Sequence, residues 1–146
     1  MSAPAVKLGG PAPHEDRALL EANLSLVAER EGQLYQRVYA IMFRDHPEAD
    51  QLFLQYGEER QAEMLSETFT SVFDLLDGES WTPGHVQAMG ERHRHGYVVR
   101  DEMYAWFSDA IVAALREVSG DAWTAATEAA WERALDAVNA LMTGRG

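Results

Sequence analysis

The chain contains no cysteine, an absence that removes disulfides, thiolate metal sites, iron–sulfur clusters and cysteine nucleophiles at one stroke. Any bound metal must rest on histidine, carboxylate or tyrosine. Basic residues are scarce, with 12 lysines and arginines against 24 aspartates and glutamates, a net charge of −12. A surface of that sign repels phosphate backbones and anionic lipid, so no nucleic acid and no membrane is expected among the partners. No apolar run approaches the ~18–20 residues of a spanning helix. Alternation of apolar and polar residues, the mark of a half-buried strand, is missing at useful length, and no repeat of ~20–50 residues is visible.

What remains is an ordinary globular composition, 47% hydrophobic and 25% charged over 146 residues, which predicts one packed domain around one core. Met1 to Pro13 contains Pro4, Pro11, Pro13 and the pair Gly9-Gly10. It lacks the basic start and long apolar stretch of a secretory signal. The expectation is a loose tail over 1–13, a folded domain over 14–146, and a cytoplasmic location.

Helical spacing dominates the rest. Leu20, Leu24 and Val27 recur after a start marked by Glu15 and Asp16, carboxylates placed where a helix N-terminus favours them. Between Leu34 and Phe43 the pairs Leu34/Val38 and Tyr35/Tyr39 form adjacent stripes over more than half the circumference, which predicts a largely buried helix. Pro47 opens a short segment closed by Phe53, since proline suits a helix start but not its interior. Glu58 to Leu76 carries Met64, Leu65, Phe69, Val72, Phe73 and Leu76 at steps of three and four before the stop at Asp77-Gly78. Asp101 begins a further helix through Phe107, Ile111, Leu115 and Val118, and the last runs through Trp131, Leu135, Val138 and Met142. The fold class is all-α, with about six to eight helices.

Chemistry in such a chain turns on its five histidines, because histidine is the commonest metal ligand and the axial ligand of many haem irons. His14, His46 and His85 sit at a helix start, a polar corner and after Pro83-Gly84, where exposed or capping roles suffice. His93 follows Val86 and Met89 by seven and four residues, so all three share a helical face aimed at the core. A satisfied core histidine and a metal ligand both fit that position. His95 lies about 200° further round and faces away. Arg92 and Arg94 suit either the carboxylates of a cofactor or an exposed basic turn.

At this point a resemblance appears. Val86-Gln87-Ala88-Met89-Gly90-Glu91-Arg92-His93 resembles the segment carrying the proximal histidine in bacterial single-domain globins and in the globin domain of flavohaemoglobins. Val38-Tyr39-Ala40-Ile41-Met42-Phe43-Arg44-Asp45-His46-Pro47-Glu48, followed by Leu52-Phe53, is similar to the same families' pattern of tyrosine, phenylalanine and Pro-Glu. Ala129-Ala130-Trp131 resembles their final helix. The matches keep their order from about Leu19 to Met142.

The resemblance implies the globin fold, helices crossing at ~50° around a haem pocket, with haem b (iron protoporphyrin IX) as cofactor and His93 as proximal iron ligand. Phe53 would pack on the haem face, and Tyr39 would present its hydroxyl on the distal side. Phe53 otherwise plugs a helix corner, and Tyr39 otherwise bonds a backbone carbonyl. Gap-free counting from Phe53 puts Arg60 at the first distal position of the long helix, with Met64 one turn on. A one-residue gap substitutes Gln61 and Leu65, closer to the glutamine or histidine of relatives but poorer for the apolar stripe. None of these ligates iron. Arg92 would lie near the haem carboxylates, and Tyr104 would support His93.

Two departures qualify the likeness. One extra residue stands between His93 and the tyrosine of Asp101-Glu102-Met103-Tyr104, which shifts the proximal geometry. The glutamate and reductase domains that follow in flavohaemoglobins are not present after Leu141-Met142-Thr143. The resemblance thus favours reversible binding of dioxygen, carbon monoxide or nitric oxide over a self-sufficient enzyme, in a monomer or homodimer. The alternatives are nitric oxide dioxygenation or peroxidase-like chemistry with a separate reductase, and a haem-free globin-like interaction module.

Overall fold

The structure is a computed structural model that describes residues 13–53, 57–78, 84–88 and 101–144. The tail expected over 1–13 lies, apart from Pro13, outside them. All regular structure among the described residues is helical: α1 (Pro13–Arg30), α2 (Leu34–Asp45), α3 (Glu48–Phe53), α4 (Glu58–Leu76), a stretch over 84–88, α5 (Asp101–Ser119), a 3-10 turn (Gly120–Ala122) and α6 (Ala125–Met142). No described helix is long and apolar enough to cross a membrane.

The helix ends follow local chemistry. α1 has Glu15 and Asp16 in its first turn and Arg30 in its last, charges that complement the helix dipole. α4 stops where Asp77 N–H donates to the Phe73 carbonyl and Gly78 N–H to that of Leu75. Gly78 takes φ +76° there, a left-handed conformation that a β-carbon disfavours. α6 is capped by Thr124, whose side-chain oxygen accepts from Thr127 N–H at 3.1 Å, the preferred device for a helix start.

α2 packs on α5, while α1, α4 and α5 all meet α6. Trp131 stands at that convergence, fully buried, with the rings of Phe69 and Phe73 at 5.5 and 6.5 Å. Its indole N–H donates to Asn23 Oδ1 at 3.0 Å, and Asn23 Nδ2 donates to Ser119 Oγ at 2.8 Å. This buried relay ties α1 to the end of α5 and the middle of α6. Nearby, Arg133 forks onto Asp16 at 2.8 and 3.0 Å.

Asn23→Ala strands the indole N–H and the Ser119 hydroxyl in a dry interior, and a buried donor without its partner costs about 1–3 kcal/mol. A lower urea midpoint with an unchanged slope is the expected result. An unshifted midpoint would show that the relay adds nothing to stability.

α2 buries an arc of more than half its circumference, as its stripes predict, and leaves the rest wet. Val38, Tyr39, Ile41 and Met42 are buried, and Leu34, Tyr35 and Phe43 half-buried, but Gln36, Arg37, Ala40 and Arg44 are exposed. The outer arc stays wet because Arg37 reaches Glu31 at 2.9 Å and Glu117 at 3.1 Å across the surface. Those charges would be costly to bury.

Candidate functional site

Tyr39 lies on the inward arc of α2, only 2% exposed. Its ring packs 5.8 Å from Phe43, one turn along the same helix, and 5.4 Å from Phe107 of α5. Burial pushes its phenol well above the ordinary tyrosine range; the charge of Arg60 opposes that rise and the charge of Glu67 adds to it. Since loss of the proton would place an anion among aromatic rings, Tyr39 stays a neutral O–H group at physiological pH. Arg60 and Glu67 both belong to α4, so the face of α4 that bears them is the one whose charges reach the Tyr39 hydroxyl.

Arg60 is half-buried, with Nη1 at 3.3 Å from Glu63 and 3.8 Å from Glu67. Met64, one turn along, is also half-buried, and its carbonyl accepts from Thr68 Oγ1 at 2.9 Å. Gln61 is half-buried on the neighbouring stripe, followed by the buried Leu65. Leu65 also lines a cleft of about 610 Å³ with Leu24, Leu34, Phe69 and Phe73 between α1, α2 and α4. The two alternatives of the sequence thus sit on two arcs of α4, roughly 100° apart.

Tyr104 occupies α5 three residues before Phe107, half-buried with its hydroxyl shielded from solvent. Its backbone carbonyl accepts from Asn139 Nδ2 of α6 at 3.5 Å. His93 and Arg92 lie outside the described residues. So does the side chain of Phe53, although its backbone closes α3. In the preceding stretch, Val86 is fully buried between exposed His85 and Gln87. His46 is more engaged than a polar corner requires: it caps the C-terminus of α2 and stacks on Trp106 at 4.2 Å and 8°.

Phe43 and Phe107 enter the sequence reading only as apolar helix positions or as part of a motif, and Glu67 not at all; none is named there as a site residue. Their only local signals are their offsets, four residues after Tyr39, three after Tyr104 and seven after Arg60. The described residues therefore bring together one neutral hydroxyl donor, two aromatic rings and one guanidinium. Such a set can hold a small acceptor against an apolar wall, and it offers no nucleophile.

The model of the Globin family matches residues 36–142 of the chain. The chain is 31% identical over 138 residues to a flavohemoprotein of Bordetella pertussis, covering 90% of this chain and 33% of that protein. It is 25% identical over 126 residues to a flavohemoprotein of Halalkalibacterium halodurans, covering 85% of this chain and 30% of that protein. The chain thus spans about a third of the length of these curated relatives. Among solved structures, a Pseudomonas aeruginosa protein described as structurally highly homologous to a human hemoglobin superposes with a TM-score of 0.78 at 19% identity, covering 89% of this chain and 97% of that one. Shortfin mako (Isurus oxyrinchus) hemoglobin superposes with a TM-score of 0.72 at 13% identity, covering 90% and 96%. With an all-helical fold, a buried tyrosine on α2 and a family match over most of its length, the chain belongs to the globin family.

Proposed function

We propose that this globin binds haem b through His93 and reversibly holds dioxygen or another diatomic ligand on the side of Tyr39. The observation that carries the reading is the buried, neutral Tyr39 hydroxyl between Phe43 and Phe107, within reach of the Arg60 charge. This donor set fits haem: an apolar macrocycle suits aromatic and thioether walls, and one O–H donor suits a polarised ligand. The group supplies, when bound, a ferrous centre with an open coordination position.

The residues divide the remaining work. His93, seven residues beyond the buried Val86 in the sequence, would supply the imidazole that holds the iron. Phe53, at the end of α3, would pack on the macrocycle, and Tyr39 would offer its hydroxyl as a hydrogen-bond donor on the ligand side. Arg60 and Met64 form the α4 side of the pocket, preferred to Gln61 and Leu65 because the charge of Arg60 acts on the Tyr39 hydroxyl. Arg92 would serve the carboxylates of the group, and Tyr104 of α5 would support His93.

Absorption spectra of the purified protein in ferric, ferrous and carbonyl forms test cofactor and ligation together, and a chain that takes up no haem overturns the reading. The similarity to flavohemoproteins favours one second reading, nitric oxide dioxygenation with a separate reductase as partner. Steady-state nitric oxide consumption with an added reductase separates that enzyme from a binding protein.

The arcs of α4 make a further prediction. Arg60→Ala, which leaves the Glu63 and Glu67 carboxylates uncompensated, weakens azide binding to the ferric protein by about fivefold, the equivalent of roughly 1 kcal/mol for a partly exposed charge. Gln61→Ala leaves it near the wild-type value. Spectrophotometric titration checks both, and the reverse pattern would exchange the roles of Arg60 and Gln61.

A further inference from the structure

Arg60 stands in the first turn of α4, after Glu58 and Glu59. Carboxylates suit that position, whereas a cation there opposes the helix dipole. Helix stability therefore does not call for an arginine at this place. The side chain is held by two carboxylates on one nitrogen: Nη1 lies 3.3 Å from Glu63 Oε1 and 3.8 Å from Glu67 Oε1. Glu63 is one turn further along and Glu67 two. Helical side chains lean towards the N-terminus, so Glu67 reaches back naturally, while Arg60 turns forward along the helix to meet it.

The electrostatic consequence bears on the pocket. Arg60 and Glu67 act on the Tyr39 hydroxyl in opposite directions, and Glu63 adds a second negative charge beside the guanidinium. One cation paired with two anions gives no net attraction for an incoming anion, although the pocket has an arginine at its edge. Arg60 is 32% exposed and its carboxylates 58% and 49%, so salt weakens these pairs readily.

We propose that Glu63 and Glu67 form a carboxylate latch that holds the Arg60 guanidinium along α4 and cancels its charge, making the pocket select neutral diatomic ligands over anions. The inference rests on the haem-pocket reading above and adds to it two positioning residues and a basis for selectivity.

The test uses the haem-loaded full chain and azide as the anionic probe. In Glu63→Gln/Glu67→Gln, ferric azide affinity rises about 5–10-fold at low ionic strength, and the gain largely disappears near 1 M salt, where the screening length falls to ~3 Å. Carbon monoxide affinity stays unchanged, because that ligand carries almost no charge. Glu63→Asp/Glu67→Asp, which keeps both charges, stays nearer to wild type. Adding Arg60→Ala to the glutamine pair abolishes the gain. The Nε–H resonance of Arg60 in the diamagnetic carbon monoxide complex reports the latch directly, and its order parameter drops in the glutamine pair. An azide gain that persists without Arg60 would show a general loss of surface charge and overturn the latch. Haem uptake with unaltered azide affinity in the glutamine pair overturns the inference alone, while a chain that takes up no haem overturns the inference together with the reading beneath it.

Discussion

His93→Ala is expected to lose most of its haem, or to keep it only with the native ferrous spectrum abolished, and added imidazole partly restores that spectrum. The reasoning is one of supply. With cysteine absent, an axial ligand has to come from a small set of side chains, and a neutral imidazole is the best of them. His85 is exposed, and the His46 ring is stacked on Trp106 at the corner after α2. His95 is set about 200° from His93 on a helix. Val86 is fully buried seven residues before His93, which places the start of that segment against the core. Loss of the bound group also lowers apparent stability, since a ligand at 100 times its dissociation constant adds about 2.7 kcal/mol. The melting temperature of His93→Ala should therefore fall and rise again with imidazole and haem. Haem content and ferrous spectra of His93→Ala and His95→Ala, measured side by side, decide the matter. An unaltered His93→Ala beside a haem-depleted His95→Ala would move the ligand to the other histidine.

Tyr39→Phe is expected to release dioxygen 10–100-fold faster while carbon monoxide release barely changes. Dioxygen in such a pocket draws electron density and becomes a good acceptor, whereas carbon monoxide stays nearly apolar. A buried hydrogen bond to a partly charged acceptor is worth roughly 1.5–3 kcal/mol, and each ~1.4 kcal/mol is a factor of ten. Phenylalanine keeps the contacts of the ring with Phe43 and Phe107, so folding should be little affected. Because burial raises the phenol well above its ordinary range, the hydroxyl keeps its proton across roughly pH 5–9, and the difference between the two proteins should be flat over that interval. Stopped-flow and flash-photolysis rates for both ligands provide the measurement. Equal dioxygen release from the two proteins would show that the Tyr39 hydroxyl does not face the ligand.

Much of this protein could be read along the chain. The apolar steps from Glu58 to Leu76 and the stop at Asp77-Gly78 match α4 to its ends, and Trp131, Leu135, Val138 and Met142 are all buried on α6. Tyr39, Arg60, Met64 and Tyr104 are candidates for the site on motif spacing and the family resemblance alone. These features are local: helical periodicity and capping depend on residues within one or two turns of each other.

Other features depend on how the helices are rotated and docked. Periodicity places Arg60 with Met64 on one arc of α4 and Gln61 with Leu65 on the next, but it cannot say which arc turns towards Tyr39. Leu65 lines the cleft beside Leu24 and Leu34, and the charges of Arg60 and Glu67 act on Tyr39; both depend on how α4 is docked. The relay from Trp131 through Asn23 to Ser119 joins residues 108 and 96 positions apart, and Phe107 meets Tyr39 only because α5 lies across α2. Local sequence sets which residues share a face of a helix. The direction of that face is set by side-chain packing between helices distant along the chain, where close-packed interiors admit few rotations of each helix about its axis.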